Sequence, residues 1–281
     1  MMTAPVTTLT PAPPLSPQRK VILVAGGLLS LVVITLATLC IVDYLSRTSY
    51  QRDFVLAASD KHLLVVRGPH DITITPSPDH NVHVHKSVTY GLARPDFVEQ
   101  RTADGVTLEA DCHGWMALAS CSITYDVQVP REFSLEVTSS AGTVSATGLA
   151  GAARLTTSAG DIRVSQMSGK LTLRTSAGSV VGTDLGGAEP AGSDLGGPTV
   201  EARTSAGDVM LAFTVPPWRV TARTAAGSVD VAVPQGSGYH ISASAGGGTQ
   251  QIGRSLQSAS SNRTIVATSS AGDVTVRRTN E

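Results

Sequence analysis

The chain alternates apolar and polar residues over most of its length after residue 60. In one segment Leu171, Leu173 and Thr175 occupy one side, and Thr172 and Arg174 occupy the other. Alternation with a period of two and many β-branched residues is typical of half-buried β-strands rather than helices. Residues 21–42 have a different pattern, because 22 consecutive positions carry no charge. The pattern therefore predicts a β-rich protein preceded by one apolar helix.

A short motif, in most copies Ser-Ala-Gly followed by a small polar residue and Val or Ile, recurs seven times between residues 139 and 273. Successive motif glycines are 18, 18, 29, 20, 19 and 26 residues apart, which indicates a unit of 18–20 residues with two insertions. A unit of this length cannot bury a core alone, but stacked units can. We therefore expect an all-β fold, a β-solenoid or β-helix-like stack of short strands. A β-sandwich with similar turns is the alternative.

The Ala-Gly pair of each motif is expected to form the turn between two strands. Glycine adopts positive φ angles without steric cost, and small residues let successive turns lie about 4.8 Å apart. The glycines to which we assign this structural role are Gly142, Gly160, Gly178, Gly207, Gly227, Gly246 and Gly272.

Asp161, Asp208 and Asp273 follow the motif glycine in three of the copies. Gly-Asp repeats can bind calcium in β-rolls, where every turn supplies oxygen ligands. Here the period is doubled, and Ser or Thr replaces Asp in three other copies. We therefore favour a role for these side chains in capping the turn backbone.

Residues 21–42 are long enough to cross a bilayer, since 22 helical residues span about 33 Å against a hydrocarbon core of about 30 Å. Arg19 and Lys20 precede the run and Asp43 follows it, so the positive-inside rule predicts a cytoplasmic N-terminus and an extracytoplasmic C-terminal domain in the cell membrane. A cleaved signal peptide is one alternative, although its apolar core is usually about 7–15 residues. Cys40 suggests a lipoprotein, but Leu39 before it is not the small residue that processing expects.

Composition divides the chain into five predicted regions. Residues 1–20 contain five prolines and no acidic residue and are expected to be a disordered cytoplasmic tail. Residues 21–42 are the transmembrane helix, and 43–59 are expected to be a stalk that extends it. Residues 60–135 are expected to form an N-terminal β cap region, and 136–281 the β-repeat region. The Gly-rich insertions 182–198 and 247–262 are expected to be surface loops.

Cys112 and Cys121 lie nine positions apart in the region predicted to be outside the membrane. In an oxidising compartment we expect them to form a disulfide, which would stabilise the fold by roughly 2.5–3 kcal/mol. Two reduced, buried thiols are the alternative. Trp115, between the two cysteines, is expected to plug the cap region, with ligand contact as the alternative.

These features together resemble the bacterial putative-adhesin β-strand-repeat family, an uncharacterised domain family likened to a toast rack. The resemblance covers roughly residues 60–279. It rests on the seven motifs and on the segment from Cys112 to Cys121, which runs into the sequence Tyr125-Asp126-Val127-Gln128-Val129-Pro130. It implies a surface role and supplies no catalytic residues.

His80, His83 and His85 form the densest cluster of candidate metal ligands. On a strand His83 and His85 would face the same side about 7 Å apart, and Asp79 or His113 could complete a site. A solvated strand face is the favoured interpretation, so neither a metal nor another cofactor is predicted. The sequence also shows no cluster of acid, base and nucleophile, so no catalytic residue is predicted.

Charged residues make up only 15% of the chain and the net charge is −1, which argues against a nucleic-acid partner. The sequence thus predicts a non-enzymatic single-pass envelope protein. Its ectodomain would serve as an adhesion, binding or scaffold surface for an unknown protein or glycan. An accessory sensor of cell-envelope stress is the first alternative. A carbohydrate-active β-helix enzyme is the second, because a fold alone does not exclude one.

Overall fold

The computed structural model of the chain describes residues 17–57, 62–68, 70–92, 94–102, 105–112, 121–187, 197–236 and 238–279, with side chains from residue 25 onward. Within these residues, one helix, α1 (Pro17–Leu45), precedes twenty-one strands. The first seven are β1 (Thr48–Ala57), β2 (Leu63–Gly68), β3 (Asp71–Pro76), β4 (Asn81–Tyr90), β5 (Pro95–Thr102), β6 (Gly105–Cys112) and β7 (Cys121–Val129).

The remaining strands carry the repeats and are mostly shorter. They are β8 (Ser134–Ala141), β9 (Val144–Thr147), β10 (Ala153–Ala159), β11 (Ile162–Ser165), β12 (Leu171–Ala177), β13 (Val180–Leu185), β14 (Thr199–Ala206), β15 (Val209–Phe213), β16 (Arg219–Ala226), β17 (Val229–Val233), β18 (His240–Ala245), β19 (Gln250–Ile252), β20 (Thr264–Ala271) and β21 (Val274–Arg278).

The strands form two sheets, one of eleven and one of ten strands. From β8 onward, successive strands alternate between the two sheets, so each repeat contributes one strand to each. We call such a pair of strands, for example β8 with β9, a coil. Equivalent strands of neighbouring coils pair in parallel, as Leu155 of β10 does with Leu173 of β12. The structure therefore confirms the predicted all-β stack, and the sheets enclose its core.

The coils follow the order of the sequence only in the middle of the stack. The coil β20–β21 lies between β16–β17 and β18–β19, so the final repeat is not the end of the stack. At the other end, β2–β3 packs beside β8–β9, and β6–β7 lies beyond β2–β3. The antiparallel strands β1, β4 and β5 complete that end. The segment between residues 62 and 129 thus builds one end of the same stack.

Aliphatic side chains fill the space between the sheets in straight rows. One row contains Leu155, Leu173, Ala202 and Ala222, which lie in register on four neighbouring strands. All four side chains are buried. Because burying a Leu or Val side chain stabilises a fold by about 1.5–3 kcal/mol, these rows hold the two sheets together.

A row of buried hydroxyl groups lies where the strands of the ten-stranded sheet reach the corner of the stack. Thr175 donates from its Oγ1 to the carbonyl oxygen of Gly160 across 2.9 Å. The next coil repeats the bond, from Thr204 to Gly178 across 2.8 Å. Each coil is therefore tied to the turn of the coil before it, and the donor is always the residue three positions before a motif glycine.

The predicted stalk over residues 43–59 differs from the structure. Helix α1 ends at Leu45, and Thr48–Ala57 forms β1, which pairs antiparallel with β4 at the edge of the eleven-stranded sheet. The first six residues of β1 are exposed, so the strand shows little of the apolar alternation that marks the others. Backbone hydrogen bonds to β4, more than buried side chains, hold this segment in the sheet.

The two predicted surface loops have different outcomes. Within residues 247–262, Gln250–Ile252 forms β19, which pairs with β21, and Leu256 is fully buried. This insertion therefore contributes to the last coil rather than projecting from it. In the insertion 182–198, β13 continues to Leu185, and residues 188–196 lie outside the described residues.

Candidate binding surface

The motif glycines line up along one edge of the stack. Six of the seven have a positive φ angle, and Gly246, in the last coil, does not. At Gly178 the φ angle is 144°, and a Cβ atom there would overlap the carbonyl oxygen of Gly160. Only glycine fits this position, because a side chain would both strain the backbone and collide with the coil below.

The residue after six of the seven motif glycines continues the same edge as a ladder of hydrogen bonds, and Asp71 and Thr249 extend it at its two ends. Asp161 accepts a bond of 2.9 Å at Oδ1 from the backbone N–H of Ser179, and Asp208 accepts one of 2.7 Å from Ser228. Asp273 accepts bonds from both the N–H and the hydroxyl of Thr249, which hold the pKa of its carboxyl below the usual value.

In the order of the stack the ladder reads Asp71, Thr143, Asp161, Ser179, Asp208, Ser228, Asp273 and Thr249. Carboxylates and hydroxyl residues alternate along the ladder, so neighbouring carboxylates are about 9–10 Å apart. Each carboxylate is bonded to the backbone of the next coil. The geometry agrees with the role in capping the turns.

A disulfide joins Cys112 at the end of β6 to Cys121 at the start of β7, with Cα atoms 6.2 Å apart. In the coil β6–β7 this link occupies the corner that a Ser-Ala-Gly turn occupies in the repeats. Residues 113–120 lie outside the described residues, and with them Trp115 and His113. Cys40 of α1 is a free, exposed thiol.

The candidate histidine cluster is dispersed among separate carboxylates. His83 and His85 lie on the outer face of β4, where His83 Nε2 is 2.9 Å from Asp79 and His85 Nδ1 is 2.5 Å from Asp53. The N–H of Asn81 and then His83 hold the pKa of Asp79 below its usual value. His80 is exposed in the turn before β4. Among the described residues no three His, Cys, Asp or Glu side chains are arranged to hold a metal ion.

A buried ion pair at the β1–β5 end of the stack was not predicted from the sequence. The Lys86 Nζ atom lies 2.6 Å from Glu99 Oε1, which also accepts a bond of 3.1 Å from the Tyr125 hydroxyl. The Lys86 side chain is only 2% exposed and its Nζ lies 3.7 Å from the centre of the Phe97 ring. Burial, and then Glu99, raise the pKa of Tyr125. The pair joins β4 to β5 and so links the two sheets.

The outer side of β10, β12, β14 and β16 carries a strong excess of positive charge. We call this surface the basic face. Its six basic side chains are Arg154, Lys170, Arg174, Arg203, Arg219 and Arg223, and Glu201 is the one carboxylate among its described residues. The sequence did contain a signal for it, because Arg stands four positions before three consecutive motif glycines.

A known protein family matches the part of the chain that carries the corners and the basic face. The family model described as Toastrack DUF4097 matches residues 122–281, which is more than half of the chain. The chain belongs to the Toastrack family. The match starts directly after Cys121 and includes all seven motifs, whereas Lys86, Glu99 and the candidate histidine cluster precede it.

Several solved structures show a weak likeness to this Toastrack chain. A putative adhesin from Bacteroides fragilis NCTC 9343 is 14% identical, with 82% of this chain and 97% of that chain covered and a TM-score of 0.47. A putative adhesin from Parabacteroides distasonis ATCC 8503 is 13% identical, with 82% and 97% covered and a TM-score of 0.41.

A third structure, called a putative lipid binding protein and also from Parabacteroides distasonis ATCC 8503, is 14% identical over 80% of this chain and 96% of that chain, with a TM-score of 0.34. No curated protein matches the sequence. Identities this low assign no activity to the Toastrack chain.

Proposed function

We propose that this Toastrack protein is a single-pass protein of the bacterial cell envelope. Its N-terminus lies in the cytoplasm, and its stack of coils lies outside the membrane. The stack serves as a non-enzymatic binding surface, used for adhesion or as a scaffold for other envelope components.

The observation that carries this proposal is the direct junction between an exposed apolar helix and the stack. The segment Ala25–Leu45 has a mean hydropathy of 2.4 and is not buried against the rest of the protein. An exposed apolar helix of this length is stable in a bilayer and not in water. Only two residues separate α1 from β1, and Asp43 Oδ1 accepts a bond of 3.0 Å from the N–H of Leu92.

Four of the five exposed large hydrophobic side chains among the described residues of the stack lie beside this junction, which favours a membrane there. Tyr50 and Val55 on β1, Leu92 after β4 and Val98 on β5 are exposed, and all belong to the end of the stack that α1 enters. Tyrosine is enriched at membrane–water interfaces, where an apolar ring and a polar hydroxyl are both satisfied. The opposite end and the basic face would then point away from the lipid.

The non-enzymatic part of the proposal rests on how the polar groups of the stack are used. The carboxylates of Asp161, Asp208 and Asp273 are bonded to backbone N–H groups of neighbouring turns, and Glu201 is paired with arginines. A general acid or base needs a carboxylate aimed at a substrate instead. Turnover of a cell-wall polysaccharide by the purified protein, abolished by one carboxylate substitution, would overturn this part.

Reporter fusions decide the topology. We expect a reporter active only outside the cytoplasm to give a signal after residue 60, and none after residue 15. A cytoplasmic reporter should give the reverse result. An exterior signal at residue 15, or a stack released from the membrane by cleavage near α1, would contradict the proposal.

A sensor of envelope stress is a second candidate, favoured by the bond between Asp43 and the loop that contains Leu92. Through this bond a displacement of the stack, for example on ligand binding, would be transmitted to the end of α1. Asp43→Asn weakens the link without changing the span. If the protein is a sensor, this variant should lose the signalling response while its topology stays the same.

A further inference from the structure

Three arginines lie side by side in the middle of the basic face. Arg174 of β12 is in register with Arg203 of β14, which is in register with Arg223 of β16. Thr156 and Thr268 occupy the same row on the flanking strands. Because neighbouring strands are about 4.8 Å apart, the row places three guanidinium groups within about 10 Å.

Among the residues that the structure describes, one carboxylate offsets the charge of this row. Glu201 Oε1 is 2.8 Å from Arg174 Nη2 and 3.0 Å from Arg203 Nε, so two arginines share it. The bond from Arg174 is the main reason that the pKa of Glu201 lies below its usual value. Like charges in register on neighbouring strands destabilise a sheet, so the row is unfavourable unless further anions approach it.

Arg223 offers accessible donors for such an anion, and Arg174 carries one buried N–H that a shift of its half-exposed side chain would make accessible. The Nε–H of Arg174 is buried and has no hydrogen-bond partner among the described residues. Arg223 is exposed, and within the described part of the chain no carboxylate forms an ion pair with it. A buried donor without a partner is costly, and guanidinium groups bind oxyanions through two parallel N–H bonds. Both features point to an oxyanion ligand.

The shape of the site indicates a polymer. The row lines a shallow open groove of about 540 Å³, and the groove is too open to enclose a small molecule. Hydroxyl groups of Thr156, Thr268, Ser176 and Ser205 surround the arginines, and none of the described lining residues is aromatic. Hydroxyls suit the hydroxyl groups of sugars, while a single-stranded nucleic acid would need aromatic side chains for stacking.

We propose that the groove binds an acidic polysaccharide, whose regularly spaced carboxylates lie along Arg174, Arg203 and Arg223. The proposal rests on the proposed function as a surface for an envelope ligand and names the class of that ligand. Anionic lipid is disfavoured, because the exposed hydrophobic side chains of the stack lie elsewhere, on β1, β5, β15 and the loop after β4.

Binding is measured with the full-length protein in nanodiscs of zwitterionic lipid and with polygalacturonate as the probe. Fully methyl-esterified polygalacturonate is the control ligand, since it keeps the sugar chain and lacks the negative charge. We expect the acid to bind, the ester not to bind, and the affinity to fall steeply between low and high salt.

Three variants distinguish binding in the groove from nonspecific electrostatic attraction to the protein. Arg203→Gln with Arg223→Gln should weaken binding about tenfold or more, because two charge-assisted contacts are lost. Arg163→Gln removes one exposed arginine from the opposite sheet, where it pairs with Asp161, and should leave affinity within about twofold. Glu201→Gln should tighten binding about threefold, since Arg174 and Arg203 lose their internal competitor.

Equal binding of the acid and the ester would overturn the proposal. So would equal losses from Arg163→Gln and the double variant, or binding to phosphatidylglycerol vesicles through these arginines without binding to the polymer. The topology of the chain is read independently by the reporter fusions. A stack found inside the cytoplasm would refute the proposed function and leave this affinity measurable, whereas absent polymer binding would leave the topology intact.

Discussion

The hydroxyl of Thr204 on β14 lies 2.8 Å from the carbonyl oxygen of Gly178, in the turn that follows β12. The bond crosses from one coil to the next at the corner of the stack. In six of its seven copies the Ser-Ala-Gly motif thus has a further member, a buried Ser or Thr three positions before the glycine. This hydroxyl and the glycine together fix how closely neighbouring turns approach.

Removing this hydroxyl should weaken the stack by the value of one buried hydrogen bond. Thr204→Val keeps the shape of the side chain, so we expect a loss of about 0.5–1.5 kcal/mol in the free energy of unfolding. Urea unfolding of the full-length protein followed by circular dichroism measures it. Thr221→Val on the outer face of β16 is the control and should change stability by less than about 0.5 kcal/mol. Equal effects from both would contradict the role of the corner.

Glycine at the corner is required by close packing as well as by its φ angle. Gly178→Ala should cost more than about 3 kcal/mol, or prevent accumulation, because its Cβ would overlap the backbone of Gly160. Gly236→Ala provides the matched control, since φ there is 92° but nothing lies within 4 Å of the added atom. It should show the cost of backbone strain alone, about 1–3 kcal/mol. Similar losses from both variants would show that contact between turns is unimportant.

Removing one partner of the Lys86–Glu99 pair should lower the free energy of unfolding far more than replacing both partners by uncharged residues. Lys86→Met leaves the carboxylate of Glu99 largely buried without its cation, and we expect a loss of about 3–5 kcal/mol. Adding Glu99→Gln removes that uncompensated charge and should restore at least about 1 kcal/mol. Urea unfolding of both variants measures the difference. If the double variant is less stable than Lys86→Met, the pair is not coupled as the geometry indicates.

The state of the three cysteines can be counted directly. The protein purified from membranes should bind one equivalent of an alkylating reagent when denatured without reductant, at Cys40, and three after reduction. Intact mass spectrometry distinguishes the two. Three reactive thiols without reductant would show that Cys112 and Cys121 are not paired in the cell, and would argue against an oxidising location.

Much of the fold follows from local signals in the sequence. The alternation of Leu171 and Leu173 with Thr172 defines a strand, and the spacing of the glycines defines the unit that stacks. The order of the coils at the two ends could not be predicted this way. Whether β20 or β18 pairs with β16 depends on contacts between residues far apart in sequence, and both strands alternate similarly.

Strand β1 was missed because it is an edge strand with little to bury. Lys86 was missed for a different reason: it stands at an inward position between Val84 and Val88, where the alternation predicts an apolar residue. Its partner Glu99 comes from the other sheet, which the sequence does not reveal. A charged residue at an inward position was the available sign of a buried ion pair.

The basic face was predictable in part. The spacing of Arg174, Arg203 and Arg223 from their glycines is visible in the sequence. Their alignment is not, because the glycine intervals before and after Gly207 are 29 and 20 residues, so the spacing alone does not bring the three strands into register. The net charge of the chain gives no sign of the basic face, since carboxylates elsewhere balance its positive charge.

The claim that the basic face lies outside the membrane can be examined at one residue. Ser205 is exposed in the groove, and Ser205→Cys in a Cys40→Ser background places a reactive thiol there. A membrane-impermeant maleimide is added to intact spheroplasts and, separately, to lysed ones. We expect full labelling of Ser205→Cys before lysis and no labelling of the Cys40→Ser parent. Labelling of Ser205→Cys that appears only after lysis would place the stack in the cytoplasm and contradict the proposed function.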